Sequence, residues 1–297
     1  MSLLTRAELE AAYLDACEIE LKAFKPGNVS VHSQGHDMTV EDFRRSAKAS
    51  APLLCDERLS LGEKILRAIR ATNEAVGCNT NLGIVLLAAP LIQACHSGKK
   101  KNSLRENLRQ VLTATTVEDA DRVYQAIRIA SPGGLGESPE QDVRAAPQVT
   151  LFEAMRIAAG RDRIAYQYAN CYADVFDLAI PSYDTALSRW GSKEWAAVAV
   201  FVGLLKRIPD SHVERKFGAR FTRMVTDRMA IVDRALSSSI RPEQTLQLLQ
   251  DVDAEFKSAG INPGTTADLT VACLLVARLE SLLGVHDGEN RGALTAR

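Results

Sequence analysis

Residues 82–94 read LGIVLLAAPLIQA and carry no charged side chain. Wound at 3.6 residues per turn, the stretch is apolar all round instead of along one stripe, which marks a helix enclosed by other helices. WAAVAVFVGLL at 195–205 and LTVACLLVA at 269–277 have the same character. The run 195–205 has eleven residues, whereas a helix crossing a membrane needs about twenty. The three segments therefore predict a central helical core and no membrane partner.

Outward from that core the chain continues in the same period. Aromatic residues make up 5% of the sequence, strict apolar–polar alternation is rare, and apolar positions recur at three and four along most segments. The expected fold is all-α: a single multi-helical domain over 1–297 with central buried helices. Helices are expected near 5–23, 40–53, 60–76, 80–97, 103–114, 117–130, 150–160, 162–179, 183–190, 193–207, 211–237, 242–259 and 265–283. Thr5 with Glu8, Ser60 with Glu63, Ser103 with Glu106 and Thr150 with Glu153 each fit a capping box, in which hydroxyl and carboxylate satisfy backbone donors of the first turn. Pro242 stands where a first helical turn tolerates proline. No self-similarity at the period of helical repeats is visible.

A chain of 297 residues at 46% hydrophobic can bury about three quarters of its surface, so disorder is excluded as the main state. Lys plus Arg number 36 against 37 Asp plus Glu. That balance excludes a general basic field for nucleic acid, and any anion must be held locally. The six cysteines have no CxxC pairing and read as reduced, mostly core thiols of a cytoplasmic protein. The opening MSLLTRAELE shows no basic segment followed by an apolar core, so no secretory signal is expected. A symmetric homodimer is the default assembly.

Two enclosed helices start with polar, glycine-bearing segments, Cys78 to Gly83 and Asn262 to Asp268. Their first backbone donors need partners, and phosphate suits such a start; ordinary Asn and Thr capping is the plainer reading. In the loop from Lys25 to Met38, Gly27 and Gly35 let backbone approach a ligand, Lys25 suits a phosphate, and Asp37 suits a proton or a metal. His32 and His36 are four apart, but the glycines argue against a shared helical face and hence against zinc. Ser131 to Glu137 is glycine-rich without being a P-loop or a dinucleotide fingerprint. Pro209 to Lys216 mixes acid, imidazole and two cations, and taken alone is a surface turn.

KPGNVS (25–30), GHDM (35–38), GCNTNLG (77–83), PDSHVERKFG (209–218) and NPGTTADLTVA (262–272) resemble, in order and rough spacing, the triphosphoribosyl-dephospho-CoA synthase family. The resemblance spans about residues 14 to 283. It implies an all-helical enzyme that takes the triphosphoribosyl unit of ATP, with loss of adenine, and joins it through an α-glycosidic bond to a ribose hydroxyl of dephospho-CoA. Inversion at C1 implies a single displacement, with a carboxylate near the acceptor hydroxyl and Mg²⁺ entering as the nucleotide complex. By position in these motifs, Lys25, Gly27, Asn28, His36, Asn79, Thr80, Arg215 and Gly264 are expected to bind donor phosphate and ribose. Asp37, Asp210 and Asp268 are expected to act in catalysis, with Asp37 and Asp210 also suited to the metal.

The sequence departs from the family at Asn81 and Leu82, which stand for its usual His and Lys, and at Thr265 and Thr266, which stand for Gly and Ser. The variant is similar to a branch associated with tetrahydromethanopterin, whose cofactors also carry an α-linked ribose phosphate on a ribitol hydroxyl. Donor and acceptor thus stay open between ATP and phosphoribosyl pyrophosphate, and between dephospho-CoA and a methanopterin-pathway ribitol intermediate. The other readings are a different nucleotide-dependent enzyme and a non-catalytic helical nucleotide-binding or scaffold protein in a cofactor pathway.

Overall fold

Helices α4 (Leu82–Ser97), α10 (Lys193–Leu205) and α14 (Gly264–Leu282) form the buried centre of a computed structural model that describes residues 3–33, 38–131 and 141–284. Around them, in chain order, lie α1 (Arg6–Lys22), α2 (Val40–Leu54), α3 (Leu61–Val76), α5 (Leu104–Thr113), α6 (Val117–Ala130), α7 (Leu151–Ala158), α8 (Arg163–Ala169), α9 (Ile180–Trp190), α11 (Ser211–Phe217), α12 (Thr222–Ser238) and α13 (Leu246–Ser258). No strand occurs among the described residues, so the fold is all-α. One apolar cluster runs from Leu4 to Leu279 and includes side chains of every central helix. Helix α14 is the axis: it packs on α1, α4 and α10 along its length, and its first turns meet α8 and α11.

The caps explain why these helices start where they do. Thr5, Ser103 and Thr150 close full capping boxes, and Ser60 accepts from the Glu63 amide. Thr39 with Asp42 and Thr116 with Asp119 close two more, with the shorter Asp in the place of Glu.

Two expected helices are each two elements. The expected helix 211–237 breaks at Gly218 (φ +61°), and a 3₁₀ turn leads from α11 to α12. The expected helix 162–179 ends at Ala169, because Cys171 and Tyr172 adopt the left-handed region (φ 49° and 55°). A π-helical turn, Asp174–Ala179, then runs without interruption into α9, past Pro181.

That strained turn serves α4. Pro90 lies inside α4, so the Leu86 carbonyl four residues earlier has no helical donor. The Tyr168 hydroxyl donates to it at 2.7 Å, and the Tyr172 hydroxyl donates to the Leu87 carbonyl at 2.9 Å. Both tyrosines are fully buried. The proline-bearing helix at the centre is therefore fastened to the segment that breaks α8 from α9.

Candidate functional site

The first site segment, Lys25 to Val29, follows α1 and folds back on itself. Lys25 is fully buried, and its ammonium donates to the carbonyls of Glu20 (2.6 Å), Val29 (3.1 Å) and Ala23 (3.2 Å), with a Glu20 carboxylate oxygen at 3.1 Å. It has no donor left for a phosphate and holds the loop instead, which corrects the ligand contact expected of it. Gly27 (φ +81°) is likewise a packing residue: a Cβ there would stand 2.7 Å from the Ile261 carbonyl oxygen, and its amide donates to Asp253 at 2.7 Å. The glycine brings its own loop against the segment entering α14, not against a ligand. That contact places Asn28, whose carboxamide donates to Asn262 at 2.8 Å.

The second segment begins α4. Asn79 accepts from the Leu82 amide at 3.2 Å, and Thr80 donates to Ser46 of α2 at 2.5 Å. The amides of Gly83 and Ile84, next in that first turn, find no acceptor among the described residues. The expected unpaired helix start is thus real at α4.

At α14 it is largely filled, and only the Thr265 amide finds no acceptor among the described residues. Asp210 caps α11 by accepting from the amides of His212 (2.9 Å) and Val213 (3.1 Å), while its other oxygen accepts from the amide and hydroxyl of Thr266, both at 2.7 Å. Gly264 donates to the Asn262 carbonyl. Each Asp210 oxygen accepts two hydrogen bonds, so no position is left for a metal or a substrate proton. The structure places Asp210 as a staple between two helix starts, a correction to the catalytic and metal roles expected of it.

Asp268, one turn into α14, is the opposite case. Its carboxyl makes no hydrogen bond or ion pair among the described residues, and it lies so close over Gly83 that a Cβ there would sit 2.0 Å from Oδ2. Burial pushes its pKa well above the carboxylate range, reinforced by the charges of Glu20 and Asp210 and opposed by Arg215.

Asn28, Asn79, Thr80, Arg215, Gly264 and Asp268 all line one cavity of about 420 Å³, a size suited to a small-molecule ligand. Four stretches separated by up to about 240 residues therefore converge, while Lys25, Gly27 and Asp210 stand behind the wall and hold it in place. His36 and Asp37 lie outside the described residues, as does the glycine-rich run past Ser131. Their neighbours Met38, Ser131 and Gln141 to Val143 line the cavity.

The cavity also contains residues that sequence reasoning missed. Glu20, on the last turn of α1, is 4% exposed and reaches the wall with Lys25 on its carboxylate. Asp162 caps α8 through the Ala165 amide and pairs with Arg215, whose Nε has no partner among the described residues. The His212 imidazole packs at Gly264, and burial lowers its pKa. The opposite wall is apolar, formed by Val123 and Ile127 of α6, Leu151, Ala154, Met155 and Ala158 of α7, and Ile164 and Ala165 of α8. Nothing in the sequence singles out Glu20, since Glu18 and Lys22 stand two residues to either side of it in α1. Nothing distinguishes the cavity-facing residues of α6 to α8 from ordinary core.

Among the described residues no helix is long and apolar enough to cross a membrane, and no three His, Cys, Asp or Glu side chains stand together as a metal site. The cysteines are free; Cys17, Cys55, Cys95 and Cys273 are buried.

The family CitG, ATP:dephospho-CoA triphosphoribosyl transferase, matches residues 6–287. A crystal structure of an Archaeoglobus fulgidus protein, described as a candidate triphosphoribosyl-dephospho-CoA synthase, is similar over 78% of this chain and 96% of its own, with a TM-score of 0.60 and 24% identity. No curated protein matches the chain.

Proposed function

Because the chain belongs to the ATP:dephospho-CoA triphosphoribosyl transferase family, we propose that the cavity between α4, α6, α8, α11 and α14 is its ribosyl-transfer site. The observation that carries this reading is the convergence of Asn28, Asn79, Thr80, Arg215, Gly264 and Asp268 on one space, with Asp268 left without a partner among the described residues. In a transfer from ATP to dephospho-CoA, the donor's anionic groups would face the start of α4, with its unengaged amides, and the side of Arg215 and His212. Asp268 is the group placed to handle a proton. The apolar wall would exclude water from an oxocarbenium-like ribose, which hydrolysis would otherwise consume.

Magnesium would enter on the triphosphate. The described residues do not form a protein-held site for it, since Asp210 is saturated and no three candidate ligands stand together.

One observation favours a second donor and acceptor. Leu82 stands where the family carries a basic residue and presents an apolar side chain to the cavity, which suits a donor held differently. Phosphoribosyl pyrophosphate and a methanopterin-pathway ribitol acceptor fit that condition. Incubation of the protein with each donor and each acceptor separates the cases: adenine release marks ATP, pyrophosphate release marks the other donor, and the product mass identifies the acceptor. Binding of both donors without turnover of either would defeat the enzymatic reading.

A further inference from the structure

We propose that Asp268 rests protonated and acts as the general acid for the departing purine, and that Glu20 is the positioning residue that keeps it in that state. The inference rests on the reading of the cavity as an ATP-dependent ribosyl-transfer site. It adds the direction in which the proton moves.

The geometry comes first. Glu20 and Asp162, the neighbouring carboxylates of the same wall, each hold a donor, Lys25 for one and the Ala165 amide with Arg215 for the other. Asp268 has none among the described residues, although it is pressed against the first turn of α4 over Gly83. A carboxylate on the cavity wall, partly exposed and set among other carboxylates with no donor of its own, is disfavoured in its charged form, which favours the protonated acid. The groups facing it from the packed elements point the same way. Glu20 on α1, Asp210 at the head of α11 and Asp162 at the head of α8 are acidic. Arg215 is the opposing cation, and Asp162 already engages it. His212 on α11 is held towards its neutral form by burial. Helix α4 and the segment leading into it bring no charged side chain to the cavity: Asn79, Thr80, Leu82, Gly83, Ile84 and Leu86 line it. Of the charges near Asp268, that of Glu20 weighs most; burial raises the Glu20 pKa, and the Lys25 ammonium at 3.1 Å opposes that shift.

A protonated carboxyl is a poor base and a poor metal ligand, but it suits a leaving group that departs badly as an anion. The C1′–N9 bond of ATP breaks with its electron pair passing to the purine, and the Asp268 proton goes to a purine ring nitrogen. The acceptor oxygen bonds to C1′ and releases its own proton to solvent. The Asp268 carboxylate then recovers a proton from solvent as neutral adenine leaves, so the cycle balances without a further reactant.

The test compares ATP with N7-methyl-ATP, whose methylated base leaves as a neutral molecule without being protonated, using dephospho-CoA as acceptor. Asp268→Asn should lower turnover of ATP by about 10²–10⁴-fold and leave N7-methyl-ATP turnover close to that of the unmodified protein. Equal loss with both donors would overturn the acid role, since a base acting on the acceptor or a merely structural residue would lower both. If the unmodified protein releases no adenine from ATP, the ribosyl-transfer reading itself fails, and the proposal falls with it.

Glu20 is read from the pH profile. Activity that needs protonated Asp268 falls as pH rises through its pKa, and removing the Glu20 charge lowers that pKa. Glu20→Gln, and Glu20→Gln with Lys25→Met where the single variant leaves the lysine stranded, should move the basic limb of kcat/KM to lower pH. An unmoved limb in a folded variant would overturn the role of Glu20.

Discussion

At Gly83 a single methyl group decides whether Asp268 can keep its seat. Because a Cβ would stand 2.0 Å from Oδ2, Gly83→Ala should displace the carboxyl and lower turnover by at least about 10²-fold, the scale of a misplaced reacting group. Thermal melting should move far less than activity; a fully active Gly83→Ala would remove Asp268 from the site. Asp210 should behave in the reverse way. Asp210→Ala strips two helix starts of their acceptor, and denaturant unfolding should show a loss of about 2–3 kcal/mol, whereas a catalytic residue would leave stability intact. At this scale the site was partly legible in the sequence. Motif position marked the right segments but did not separate Asp268, which faces the cavity, from Asp210, which does not, because hydrogen-bond saturation depends on Thr266, 56 residues away. The caps show a similar limit: boxes closed by Asp42 and Asp119 escaped a pattern written for Glu.

Among the elements, α4 carries the most specific expectation. Tyr168→Phe leaves the Leu86 carbonyl without a donor and should cost about 1–3 kcal/mol. Pro90→Ala restores an amide to that carbonyl, so the tyrosine should matter less in its presence. A double-mutant cycle by urea unfolding should show coupling of about 1 kcal/mol between the two positions; strict additivity would contradict the fastening described here. The three enclosed helices were legible because their composition alone fixes how they are surrounded. The break within 162–179 was not, because Cys171 and Tyr172 enter the left-handed region without the glycine that would advertise it. Buried contacts of Tyr168 and Tyr172 with α4 hold that turn, and they lie more than 80 residues away in sequence.

For the molecule as a whole, pH acts through groups outside the cavity as well. His96, near the end of α4, is pushed down to about 4, first by burial and then by the Lys64 charge. An unfolded chain takes up that proton near about 6.5, so the unfolded state binds it first as pH falls. The stability contributed by neutral His96 is therefore present in full above about 6.5 and is lost as pH falls towards about 4. Between these limits the unfolding free energy of the unmodified protein should decline more steeply than that of His96→Gln, and parallel curves would remove His96 from the account. The convergence of remote motifs was also legible at this scale, since each lies at a helix start or in a loop leading into one. The apolar wall was not, because a helix facing a cavity and a helix facing core have the same periodicity.

The most direct measurement is a crystal structure of the protein with ATP bound and no acceptor present. With ATP bound, a ring nitrogen of the purine should lie within hydrogen-bond reach of the Asp268 carboxyl, about 2.6–3.2 Å, over Gly83, with the phosphates on the side of Arg215 and the start of α4. ATP seated outside this cavity, or with its purine turned away from Asp268, would contradict the acid role.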